Sequence, residues 1–65
     1  MDYKDLKEGM KVIDTDVGMV MEYRMDDKSD YFCTKDLQWG VCQFDLSTFR
    51  PYEGNLSAGE FEKQK

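Results

Sequence analysis

Two cysteines, Cys33 and Cys42, and two groups of acids hold most of the reactive chemistry in this chain, which has no histidine at all. Without imidazole, the commonest general base near neutral pH and the commonest nitrogen ligand for metals are both missing. A thiol becomes a nucleophile only where a neighbouring group lowers its pKa, and no evident base flanks either cysteine in sequence. Two thiols alone do not close a four-ligand zinc site. The run Asp14-Thr15-Asp16-Val17-Gly18 begins like a calcium loop. Val17 and Gly18 then stand where further loop elements belong, and no glutamate follows at the twelfth position. Asp26, Asp27 and Asp30 are interrupted by Lys28, which suits a solvated loop better than a cation site. The expectation is a non-enzymatic protein with no catalytic residue, metal or cofactor.

The aromatic residues are the richer signal. WGVCQFDLSTFRPYEG, residues 39–54, places a tryptophan, a thiol, two phenylalanines and a tyrosine within one short stretch. A half-exposed antiparallel strand alternates apolar and polar residues, yet Tyr31-Phe32-Cys33 and Trp39-Gly40-Val41-Cys42 are apolar on both faces. An odd hairpin loop groups Phe32 with Cys42 and Phe44; an even one pairs Phe32 with Trp39 and Val41. Either register leaves a second apolar face that must be covered, by the fold itself, by a partner protein or by a second copy of the chain. Phe44, Leu46 and Phe49 read as core. Trp39, with Tyr31, Tyr23 and Tyr52, reads as a contact surface, because indole and phenol tolerate half-wet positions through their polar ends.

The elements that must position these residues follow from length and punctuation. A chain of 65 residues forms one domain and buries only about 60% of the surface of its unfolded form. Turn signals every eight to ten residues, with short β-rich runs between them, predict a small all-β sandwich or barrel. The expected strands are 10–13, 19–25, 31–34, 39–44 and 49–52, with Pro51 fit only for an edge. The expected core is Met10, Val12, Val20, Phe32, Phe44, Leu46 and Phe49. Residues 1–54 form the barrel and residues 55–65 a tail, either a short helix or disordered. Ser57 and Glu60 have the spacing of a capping box, and Leu56 and Phe61 that of a hydrophobic staple.

Charge narrows the partner. Fourteen acids face nine bases for a net −5, and the first 30 residues hold nine of those acids. That balance opposes a phosphate backbone and favours a protein with a basic surface, with Asp26 and Asp27 in the acidic field. A nucleic-acid-binding barrel that stacks bases on Trp39 and Tyr31 is the alternative. With no run of eighteen apolar residues and no apolar leader in MDYKDLKEGM, the expectation is a cytoplasmic protein away from membranes, with both thiols free.

Taken in order, LKEGMKV, VGMV, WGVCQF and LSTFRPYEG resemble the successive strands of small Src-homology-3-like (SH3-like) barrels found among uncharacterised bacterial and bacteriophage proteins. The resemblance spans residues 6–54. It implies a five-stranded barrel opened by residues 6–12, with Gly18 starting the second strand and the tight turn Leu46-Ser47-Thr48 delivering the last. The Ala-Leu-Tyr-Asp-Tyr stretch of proline-peptide-binding members is absent, and Pro51 directly abuts Tyr52, so the resemblance implies a fold more than a function.

Overall fold

Residues 1–62 are described by the structure, a computed structural model of the chain. Strand β1 (Lys11–Asp14) returns as β2 (Met19–Met25) through a turn that its own side chains close. Asp14 Oδ1 accepts from the Asp16 amide at 3.0 Å, and the Asp14 carbonyl accepts from the Gly18 amide at 2.7 Å. Gly18 has φ 79°, a left-handed conformation that disfavours other residues. β3 (Asp30–Cys33), β4 (Gln38–Gly40) and β5 (Phe49–Pro51) complete one antiparallel sheet in the order β4-β3-β2-β1-β5. The protein is therefore all-β. Its outer strands, β4 and β5, do not pair with each other, so the sheet is not closed.

The register sorts the side chains. Val12 faces Met21, Tyr23 faces Phe32, and Phe32 faces Trp39 across the ladders, which puts these residues on one face. Leu6, Val41 and Phe49 close that face into a core whose Val12, Met21 and Phe32 are fully buried. Phe32 is its centre, with ring centroids 5.8 Å from Tyr23, 5.5 Å from Phe44 and 5.1 Å from Phe49. Each such side chain contributes about 1.5–3 kcal/mol on burial. Met10, Phe44 and Leu46 are half-buried at the margin of the core rather than inside it, while Leu6, Met21, Tyr23 and Val41 supply volume that the sequence reading left out.

Two expected elements differ. The fourth strand ends at Gly40, and Val41–Gln43 form a 3-10 turn instead of continuing to Phe44. Gly40 pairs with Tyr31, one residue from the start of β3, so a longer β4 would run past its partner with its amides unpaired. The turn instead buries Val41 and returns Phe44 to Phe32.

The tail forms no helix among the described residues. Ser57–Glu60 make a β-turn, closed by the Glu60 amide on the Ser57 carbonyl at 3.1 Å with Gly59 at φ 94°. Phe61 then forms an isolated antiparallel bridge with Met19. β3 pairs with β2 only from Glu22 onward, so Val20 would otherwise lack backbone partners on that side. Gly59 donates to the Val20 carbonyl at 2.8 Å, and Val20 donates to the Glu60 carbonyl at 2.9 Å. Ile13 and Val20, paired on the face away from the main core, are both buried. The last three residues of the expected helix or disordered tail lie outside the described residues.

Candidate contact surfaces

The four aromatic residues expected to share a patch are dispersed. Tyr23 is a correction: it is 3% exposed and belongs to the core, because its partner Phe32 faces inward and carries it there. Its hydroxyl, the feature that suggested an interface, donates to Asp30 Oδ2 at 2.8 Å. Burial, and then that hydrogen bond, push the phenol well above its ordinary value. Trp39 is half-buried, edge-on to Phe44 at 6.0 Å. Tyr31 is half-buried on the opposite face of the sheet, since it precedes Phe32 and pairs with Arg24 and Gly40. Tyr52 is half-buried beside the tail, where its hydroxyl oxygen accepts from the Leu56 amide at 3.3 Å. Its ring occupies the space over Gly54 that any larger side chain would need.

The acids also have structural roles. Asp26 Oδ1 accepts from the amides of Lys28 at 3.0 Å and Ser29 at 2.9 Å, which closes the β2–β3 loop and holds the carboxyl below its usual range. Asp27 is exposed on the same loop. Asp30 receives the hydroxyls of both Tyr3 and Tyr23, which lower its pKa in that order. Asp14, the first residue of the apparent calcium loop, uses its carboxylate on the Asp16 amide and the Thr48 hydroxyl. Among the described residues, no three metal-ligating side chains come together. Both cysteines are free thiols, Cys42 exposed and Cys33 half-buried. Burial raises the pKa of Cys33, the wrong direction for a nucleophile.

Two of the depressions among the described residues bear on contact with a partner. The larger, about 890 Å³, lies between the β3–β4 hairpin and the tail. Trp39, Met19, Leu37 and Phe61 line it, with Arg24 and Lys35 opposed by Glu22 and Glu60. Leu37 and Phe61 are each 57% exposed there. Leu37 was missed because a lone leucine in a polar hairpin loop gives no periodic signal; Phe61 was read as a staple within a helix. The smaller groove, about 480 Å³, is lined by Tyr3, Val41, Phe44 and Leu46 together with Asp30. Tyr3 precedes every strand and carried no pattern to single it out.

Compared with known protein families, curated proteins and solved structures, the chain has no match in any of the three. No helix among the described residues is long and apolar enough to cross a membrane.

Proposed function

We propose that the protein is a non-enzymatic, acidic interaction module that binds a partner protein with a basic surface, and that the cleft around Trp39 is its main contact. The observation that carries this reading is that Leu37 and Phe61, both largely exposed, line one depression together with the half-buried indole. Apolar side chains left facing one open cleft on so small a domain mark a surface used in association. An indole at its centre is the residue type most often decisive for binding. The net charge of −5 favours a basic partner and speeds its approach.

The strand order, together with the 3-10 turn Leu46–Thr48 that delivers β5 to the outer edge of β1, supports a Src-homology-3-like barrel of bacterial or bacteriophage type. A cytoplasmic setting fits the two free thiols. Base stacking is the weaker reading, because Trp39 and Tyr31 lie on opposite faces and offer no continuous platform. The test is affinity capture, followed by purification of the captured protein and measurement of its affinity at low and high salt. Trp39→Ala and Leu37→Asp should each weaken binding at least tenfold, and affinity should fall only modestly with salt, because screening weakens the attraction of a basic partner while the apolar contacts remain. Binding that survives both substitutions, or that collapses with salt as nucleic-acid binding does, overturns the proposal.

A further inference from the structure

The smaller groove combines an apolar channel with a single carboxylate. Its lining includes Tyr3, Val41, Phe44 and Leu46, with Asp30 as its one charged residue. Lysine and arginine are absent from its lining, and the loop beside its acidic end adds Asp26 and Asp27 against Lys28 alone. The Asp30 carboxylate is held in place without being used up. Tyr3 and Tyr23 both donate to Oδ2, and among the described residues no other side chain donates to Oδ1. The far wall is equally fixed: Val41 is buried in the 3-10 turn after β4, and Phe44 is braced by Phe32, Trp39 and Phe49.

A ligand that matches this shape has an apolar stem a few carbons long and one cationic head. We propose that the groove is a pocket for an arginine or lysine side chain of a bound protein, its methylenes lying between Tyr3 and Phe44 and its charge meeting Asp30. Arginine suits it best, because a guanidinium stacks on aromatic rings and bridges carboxylate oxygens where an ammonium makes point contacts. The inference rests on the reading of the protein as a module for basic partners, and supplies a contact on the other side of the Trp39–Phe44 pair from the cleft. The charge complementarity selects this occupant: an acidic or purely apolar segment would leave Asp30 without a counter-charge.

The test uses the full chain and two small probes, N-acetylargininamide and the uncharged N-acetylnorleucinamide, followed by amide chemical shifts. The arginine probe should give saturable shifts at Asp30, Val41, Cys42 and Phe44 with a dissociation constant on the order of 1 mM, as expected for so small a ligand. The norleucine probe should give none. Asp30→Asn should reduce the affinity at least tenfold. Because that substitution also replaces the charged acceptor of two tyrosines by a neutral amide, Cys42→Arg provides a second variant: Cys42 is exposed and lines the groove, and its replacement should compete with the probe without disturbing the core. Absence of saturable shifts, equal response to norleucinamide, or unchanged binding in Cys42→Arg overturns the pocket. Those results leave the Trp39 cleft standing, since its test reads partner affinity through Leu37 and Trp39, which do not line this groove.

Discussion

The hydroxyl of Tyr23 donates to the carboxylate of Asp30 at 2.8 Å, so a core aromatic on β2 is anchored to the first residue of β3. The ring and the hydroxyl serve different ends. The ring packs edge-on to Phe32, and the hydroxyl reaches the rim of the sheet. Tyr23→Phe should keep the packing and lose a hydrogen bond to a charged acceptor, costing about 1.5 kcal/mol. Tyr23→Ala should cost about 3–5 kcal/mol, comparable with the whole stability of a domain this size. Urea denaturation of both variants measures the difference; equal losses would mean that the ring contributes nothing beyond its hydroxyl.

The same pair sets two limits on stability against pH. Hydrogen bonds from Tyr3 and then Tyr23 depress the Asp30 pKa, so the stabilisation is present above the unfolded value, about 3.9, and disappears as pH falls through the lower folded value. The deficit of Asp30→Asn should therefore be full at neutral pH and close below about pH 4. Tyr23 has the opposite sign: its pKa is raised, first by burial, so its contribution is intact below about pH 10 and is lost as pH rises beyond that. Melting temperatures should fall above about pH 10, and Tyr23→Phe should flatten that fall.

Trp39 lines the larger depression and Phe44 the smaller, the two rings pack edge-on, and both are half-buried against the core. Trp39→Ala should therefore cost about 2 kcal/mol, less than the 3–5 kcal/mol expected at a fully enclosed site such as Phe32. As the only tryptophan, it reports on itself. Its emission should lie between the buried and exposed limits, and a neutral quencher should reach it in part. Full resistance to quenching in the monomer would remove Trp39 from the contact surface.

Much of the sheet was legible because its signals are local. The β2 span 19–25 was read from its apolar run and punctuation, and the tight turn 46–48 falls where the resemblance placed it. Pro51 does fall on an edge strand. What the sequence hid depends on distant partners. β4 stops at Gly40 because β3 offers nothing further to pair with, and the tail abandons its capping-box spacing because Val20 needs backbone partners. Tyr23 looked like an interface residue because an acceptor seven positions away, Asp30, is invisible to pattern reading. The cleft was half legible: Trp39 was singled out, whereas Leu37 and Phe61 join it only through the hairpin turn and the tail bridge.

The thiols should separate kinetically. Cys42 is exposed, whereas Cys33 is half-buried with a pKa raised by burial and, next, by the Glu22 charge. Because the thiolate is the reacting form, limited alkylation in the native state should label Cys42 first and Cys33 only slowly. Mass analysis of the modified peptides reads the order. Equal rates would place both thiols at the surface, and a native mass two daltons light would mean that they are joined.

The turn at Gly59 offers the sharpest test of the tail. Gly59 has φ 94°, and a Cβ added there would lie 3.3 Å from the Thr34 Cβ. Gly59→Ala should therefore destabilise the protein by about 1–2 kcal/mol, the cost of holding an L-residue in left-handed backbone. In the helix that the Ser57 and Glu60 spacing suggests, the same change would stabilise by about 1 kcal/mol, so the two arrangements differ in sign as well as size. Truncation after Asn55 provides the companion measurement. It removes both hydrogen bonds to Val20 and opens that edge of β2 to solvent, at a cost of about 2 kcal/mol. The Val20 amide, which donates to the Glu60 carbonyl at 2.9 Å, should be protected from hydrogen exchange in the full chain and exchange rapidly in the truncated one. A stabilising Gly59→Ala, or a Val20 amide that is equally protected without the tail, would show that the last segment does not dock as a strand.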